Sequence, residues 1–336
     1  MPKVMRILLV KLRHIGDALI TTSVVQCIKD AYPDSEISLV IRKGTEGILQ
    51  GCPQIDHLLT TAAAEQDRRR SKDIMNDLRL LRRLHGMRFD FAIDLGNNDR
   101  GRTLVGLSGA TKRCVNHSVY QIKWPWKLLT NQIGTSNWRP VHRVEADFLN
   151  VADFIDLSRT TPGPLIFQKE KALRPVIALP PGTSWVVIHP GTRWSRKRWD
   201  EDYWIELGKS IMSHGIHVVV SVGPDAEEIG LGDRLVKALG TGSVSTCGKL
   251  TWPNLAWLLC NAAFFVGVDT AAMHLAAAMG CPTVALFGPD SNADNWHPWQ
   301  VPYELIRFAP DDDHSLHKAK EAVRQYIHHT PKRPQR

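Results

Sequence analysis

Three short segments of the chain concentrate side chains suited to chemistry on a charged, hydroxyl-rich ligand. The first is RHIGDAL (13–19), where Gly16 lets the backbone turn tightly before a helix and Asp17 falls at or near the helix start. Asp is a favoured cap residue there, and it is also a carboxylate able to take a proton from a substrate hydroxyl. The two readings are compatible. The second is HPGTRWSRKRW (189–199), in which a small-residue turn with Thr192 runs into Arg193, Arg196, Lys197 and Arg198. Hydroxyl and cationic donors in that density suit a diphosphate; the plainer alternative is a solvated basic loop with Trp199 packed in the core. The third is VGVDTAAMHLAAAMGCPTVALFGP (266–289), where Asp269 and Thr270 lead directly into a helix of small residues. Backbone N–H groups at such a helix start attract phosphate without any side chain. His274, one turn in, reads as structural when taken alone and as a phosphate or sugar ligand beside Asp269 and Thr270.

Ligands of open α/β sheets bind outside the carboxyl ends of strands, and each segment follows or spans one. RILLVKL (6–12) is a continuous apolar run suited to a strand buried on both faces, followed by a helix over 18–31 and a strand over 36–41. A short helix near 45–51, a strand over 57–61, a long basic helix over 65–86 and the strand FDFAIDL (89–95) come next. Residues 111–145, with Trp124, Trp126 and Trp138, lack a clean period and read as an irregular excursion before a helix near 144–157. The proline-rich stretch 160–184 is the expected linker. Beyond it, strands over 185–191, 217–223, 243–246, 264–268 and 283–288 alternate with helices over 200–214, 225–239, 253–262 and 271–279. Strand–helix alternation of this kind implies parallel sheets with right-handed crossovers. The expected architecture is α/β, two Rossmann-like domains with parallel sheets facing a central cleft, over 1–165 and 180–312. A helix and tail over 313–336 are expected to pack back toward the first domain.

A length of 336 residues accommodates two domains with full cores. No apolar run reaches the ~18–20 residues of a membrane span, and the opening reads as a buried strand rather than a secretion signal, so a cytoplasmic location is expected. The six cysteines are scattered without a CxxC, which argues for free thiols, and no metal site is expected. The net charge of +8 is carried entirely by residues 65–145, with 16 Lys+Arg against 8 Asp+Glu; the rest balances at 26 against 26. Such a region is either a solvated basic face or a docking surface for something anionic. Nucleic acid is the weakest candidate, because RNA-binding and helix-turn-helix motifs are absent. GxGxxG after a strand, GxxxxGK[ST] and GxSxG are also missing, which disfavours nicotinamide dehydrogenases, P-loop NTPases and α/β-hydrolases.

Taken together, RILLVKLRHIGDALITTSVVQCIKDAYPDSEISLV, HPGTRWSRKRW and VGVDTAAMHLAAAMGCPTVALFGP resemble the ADP-heptose:lipopolysaccharide heptosyltransferases, glycosyltransferase family 9, over nearly the whole chain. Within the family, the form KLRHIGDALITT looks most like the heptosyltransferase III branch. The resemblance implies a GT-B fold and an inverting, metal-independent transfer from ADP-heptose to a heptose of the lipopolysaccharide inner core, with no cofactor. Asp17 matches the general base. Thr192 and Lys197 match the donor-phosphate loop, and Asp269, Thr270, Ala271 and His274 match the segment that holds diphosphate and heptose. Glu227 matches a carboxylate for the adenosine ribose, with Asp225 as the alternative. The family's acceptor is the phosphorylated core of lipid A, an anionic amphiphile at the cytoplasmic face of the inner membrane. That gives Arg68, Arg69, Arg70, Arg82 and Arg83 a role on acceptor phosphates and implies a peripheral membrane contact. Two other functions fit the loops: another nucleotide-sugar transferase of the same fold, and a nucleotide-sugar-binding protein without turnover in which Asp17 is only a cap.

Overall fold

A computed structural model describes residues 4–61, 71–116, 124–180, 182–309 and 312–329. Arg68, Arg69 and Arg70 lie outside these residues. The chain divides into two compact units, 1–166 and 167–336. Among its described residues, the proline-rich stretch carries one short 3-10 turn, Lys169–Lys171.

Continuous apolar runs build one parallel sheet in each unit. The first contains β1 (Arg6–Lys11), β2 (Glu36–Arg42), β3 (His57–Thr61), β4 (Phe91–Asp94), β5 (Lys112–Asn116) and β6 (Gln132–Gly134), in the order β3-β2-β1-β4-β5-β6. Ile7, Leu8, Leu9 and Val10 of β1 are completely buried, as expected of a central strand covered on both faces. Leu9 lies opposite Leu39 on one side and Ile93 on the other. The second sheet contains β7 (Trp185–His189), β8 (His217–Val220), β9 (Ser243–Ser245), β10 (Phe265–Val268), β11 (Thr283–Phe287) and β12 (Tyr303–Arg307), in the order β12-β11-β10-β7-β8-β9. Both units share one topology: the chain starts mid-sheet, winds outward, then returns beside its first strand and winds the other way. The reversal falls between β1 and β4 in one unit and between β7 and β10 in the other.

The helices of the first unit are α1 (Ile15–Ala31), α2 (Ser71–Gly86), α3 (Asp99–Gly106), α4 (Trp124–Leu129) and α5 (Arg143–Ala152); those of the second are α6 (Glu201–Met212), α7 (Ala226–Leu239), α8 (Trp252–Asn261), α9 (Ala271–Ala278), α10 (Ala293–Trp296) and α11 (Asp313–His329). No helix among the described residues is long and apolar enough to cross a membrane. Among the described residues of 111–145, a stretch with no clean sequence period, β5, α4 and β6 are regular elements where an irregular excursion is expected. Strands of five and three residues are too short to show a period, and their partners are distant, as when Arg113 N–H donates to Asn131 Oδ1 at 2.7 Å. The buried Trp138 indole donates to Asn116 Oδ1 at 3.1 Å and ties this stretch to β5. α11, for which packing toward the first domain was expected, buries Ala319 and Val323 in the core of the second unit with Trp204, Leu207 and Ile306.

Trp199 closes the basic loop and anchors it. It is buried, stands edge-on to Trp204 at 5.1 Å, and donates its Nε1–H to Ser315 Oγ at 2.9 Å. Trp199→Phe, which keeps a ring and removes the N–H, is expected to cost ~1 kcal/mol in urea unfolding, and Trp199→Ala ~3–5 kcal/mol. An alanine variant as stable as the wild type would show that the loop is held elsewhere.

Candidate functional site

In a sheet of this winding the crevice for ligand opens at the reversal, outside the strand ends. In the first unit that point lies between the loops after β1 and β4. β1 ends in Lys11, which is 4% exposed. Its Nζ donates to Asp147 Oδ1 on α5 at 2.6 Å and to Leu95 O, just past β4, at 3.4 Å. Asp17, also 4% exposed, sits three residues inside α1 rather than at its cap, and its Oδ2 accepts from the backbone N–H of His14 at 3.2 Å. Its Oδ1 stands 4.0 Å from Lys11 Nζ. Thr21, one turn along α1, bonds to Asp147 Oδ2 at 3.2 Å. Burial pushes the Asp147 carboxyl up from the ordinary range, and the Lys11 charge opposes that shift. Beside this group, Asp94 ends β4 fully enclosed, with Oδ1 accepting from Gly96 N–H at 3.0 Å and Oδ2 4.0 Å from Arg102 Nε. Burial raises the Asp94 carboxyl to about 6.

The second unit's reversal gathers the other two sequence segments. Thr192, 4% exposed, follows β7, and its Oγ1 accepts from Trp194 N–H at 3.3 Å. Lys197 closes a single 3-10 turn and bonds through Nζ to Asp269 Oδ2 at 2.5 Å. Asp269 immediately follows β10, so this ion pair bridges the two strand ends at the reversal. Thr270 caps α9 in extended conformation without a capping bond, and its buried hydroxyl has no protein partner among the described residues. Ala271 begins the helix and presents no side chain beyond a methyl. His274 is 2% exposed and lies 5.9 Å, ring to ring, from Trp296. His189, the last residue of β7, hydrogen-bonds through Nδ1 with Ser221 Oγ at 3.1 Å. Burial among β7, β8 and β10 lowers its pKa to about 4.

The two carboxylates considered for ribose are both engaged. Asp225 caps α7, accepting from Glu227 N–H at 2.9 Å. Glu227 is exposed and held bidentately by Arg198, with one contact at 2.8 Å, and the guanidinium keeps its carboxyl below the usual range. Neighbouring Glu228 accepts from Gly223 N–H at 2.8 Å, and its carboxylate lies where a Cβ on residue 191 would fall, so the glycine lets the carboxylate close over the turn. Arg193 and Arg196 flank the Trp194 ring at 5.9 and 5.5 Å. Of the described basic candidates, Arg82 and Arg83 are exposed on α2.

Lys11, Asp147, Asp94 and His189 escaped sequence reasoning. Lys11 and Asp94 carried a signal, since each is the charged residue that ends an otherwise apolar buried strand. Asp147 carried none, because only the fold brings α5 against α1.

The family model for glycosyltransferase family 9 (heptosyltransferase) matches residues 78–325. The chain belongs to this family. It is 28% identical over 297 residues to lipopolysaccharide heptosyltransferase 3 of Escherichia coli K12, covering 86% of this chain and 83% of that one. Among solved structures, E. coli heptosyltransferase WaaC with ADP superposes with a TM-score of 0.80 at 20% identity, covering 97% and 100% of the two chains. A family 9 glycosyl transferase from Veillonella parvula gives 0.80 at 18% identity, covering 96% and 97%. These likenesses show the fold, and the two Rossmann-like units of this family 9 glycosyltransferase are those of a GT-B enzyme.

The His189 shift has a definite sign. The native state binds its proton less readily than the unfolded chain, whose imidazole titrates near ~6.5. The contribution is therefore present above ~6.5 and lost as pH falls toward the native value of about 4. Denaturant unfolding of wild type and His189→Gln should show the stability difference moving against the wild type between pH 7 and pH 5. A difference constant across that range would contradict this placement.

Proposed function

We propose that the protein transfers L-glycero-D-manno-heptose from ADP-heptose to a heptose of the lipopolysaccharide inner core, with inversion and with Asp17 as general base. The observation that carries this reading is the pairing of functions by unit. One sheet reversal holds a carboxylate beside a lysine, and the other holds a lysine, a helix start and an unpartnered hydroxyl. The first suits proton abstraction from a hydroxyl; the second suits a diphosphate.

The chemistry follows from these groups. Asp17 takes the proton of the acceptor hydroxyl as its oxygen forms a bond to the anomeric carbon. The anomeric C–O bond to diphosphate breaks on the opposite side, and ADP leaves with the electron pair. Lys197 and the N-terminus of α9 stabilise the charge that develops on the diphosphate, Thr192 and Thr270 donate to its oxygens, and His274 bonds to phosphate or sugar. Lys197 is already bonded to Asp269, so donor binding means a cation held by a carboxylate at one side and offered to phosphate at the other. Ala271 leaves room for phosphate at the helix start. Glu227, oriented by Arg198, accepts from the ribose hydroxyls.

On the first unit, Arg82 and Arg83, with Arg68, Arg69 and Arg70, meet the phosphates of the lipid A core. Trp124 and Leu128 on α4 are each 73% exposed, Met75 and Leu78 on α2 about half exposed, and these lie in the same basic region. Exposed apolar and cationic side chains in one region of the chain suit a peripheral contact with an anionic membrane at the cytoplasmic face.

Two variants separate the two halves of this reading. Asp17→Asn keeps an acceptor for the His14 N–H, so melting temperature and ADP-heptose affinity should persist while kcat falls by ~10²–10⁴-fold. Lys197→Ala should weaken ADP-heptose binding by about tenfold or more in calorimetry, for loss of a charge-assisted contact. Near-normal turnover of the first variant would reduce Asp17 to a helix-start residue, and wild-type donor affinity in the second would place the diphosphate elsewhere.

A further inference from the structure

We propose that Lys11 and Asp147 are positioning residues for Asp17, with Asp147 holding the Lys11 ammonium to itself so that Asp17 stays an effective base. The inference rests on the reading of Asp17 as the base and extends it to residues that touch no substrate.

The cluster contains two carboxylates and one ammonium, each nearly excluded from solvent. A buried ammonium persists only if it is paired and hydrogen-bonded. Lys11 makes its short bond to Asp147, at 2.6 Å, and leaves Asp17 at 4.0 Å. Thr21 fixes the far oxygen of Asp147 at 3.2 Å, and the His14 N–H fixes the far oxygen of Asp17 at 3.2 Å. With all three groups ionised the cluster carries one net negative charge. A proton arriving on Asp17 brings it to neutrality and leaves the Lys11–Asp147 pair complete. In a low-dielectric site that change is favourable. An ammonium bonded directly to Asp17 would act the other way, stabilising the carboxylate as an anion and opposing proton transfer.

The remaining charged groups on the packed elements have other partners. Arg13, exposed before α1 beside His14, donates to Gly96 O at 3.0 Å. Asp94 at the end of β4 faces Arg102 of α3. On α5, Glu145 accepts from the His142 N–H at 3.1 Å, and Arg143 lies 5.3 Å over the Trp138 ring. Asp17, Asp147 and Lys11 thus form the set in direct contact, with Asp94 beside it as a separate carboxyl facing Arg102.

The test is the pH dependence of kcat at saturating ADP-heptose for wild type, Asp147→Asn and Lys11→Met, with melting temperature and donor affinity measured alongside. Asp147→Asn frees the ammonium to turn to Asp17, so the acid limb should move to lower pH, by about one unit or more, and the plateau should fall. Lys11→Met leaves two carboxylates without a cation, so the limb should move to higher pH by a similar amount. Donor affinity should stay within about twofold of wild type in both, since the diphosphate groups lie on other elements. Opposite displacements are the expected result. Equal losses of kcat with both limbs unmoved would overturn the proposal and leave a purely structural ion pair. If Lys11→Met does not fold, the near-isosteric Asp147→Asn decides alone: a shift to lower pH supports the proposal, and an unmoved limb defeats it. Failure of the Asp17 reading itself shows separately, as retained turnover in Asp17→Asn.

Discussion

A lysine buried at the end of a central strand has to be neutralised where it stands, and much of the first unit follows from that constraint. Lys11 is almost wholly buried, and Asp147 meets it there, which ties α5 to β1 and α1 and brings Thr21 into the same group. Removing one partner of such a pair leaves an uncompensated charge and typically costs ~3–5 kcal/mol. The interaction therefore locks the loop after β1 to three elements at once. Asp17 inherits a defined position from that lock, three residues into a helix whose first turn it also closes.

The second unit solves a similar problem with different residues. Its sheet has the same winding, so the ends of β7 and β10 stand side by side as those of β1 and β4 do. There too a lysine and an aspartate meet, Lys197 from the loop after β7 and Asp269 from the end of β10. This pair is less enclosed than Lys11–Asp147, with the lysine 18% exposed against 4%. The difference in burial fits the difference in proposed role, with one cation locked inside and the other offered to the donor diphosphate. Trp199 holds the loop that carries it, and Glu228 closes over its glycine turn.

Much of this was legible in the sequence. Continuous apolar runs such as RILLVK and TVALF announce parallel strands, and alternation with helices announces their crossovers. Asp17, Thr192, Lys197, Asp269 and Thr270 all lie in segments that follow strands, an order written along the chain. What stayed hidden was tertiary. The helical position of Asp17 depends on where the first turn begins, and a motif marks that only to within a few residues. β5, β6 and β12 are too short or too exposed at sheet edges to show a period. Asp147 is separated from Lys11 by 136 residues and resembles any acidic residue on an amphipathic helix. The motif also does not show that Glu227 is held by Arg198 while its neighbour Glu228 is tied to the glycine turn.

The central claim is that the two sheet reversals together carry out one sugar transfer. It is tested most directly by incubating the purified protein with ADP-heptose and a heptose-terminated core acceptor and determining the product by mass spectrometry and NMR of the anomeric centre. The account predicts one added heptose whose anomeric configuration is opposite to that of the donor. Tight donor binding with no transfer to any core acceptor would contradict it, leaving a nucleotide-sugar-binding protein, and a product that retains the donor's configuration would contradict Asp17 as the base of a single displacement.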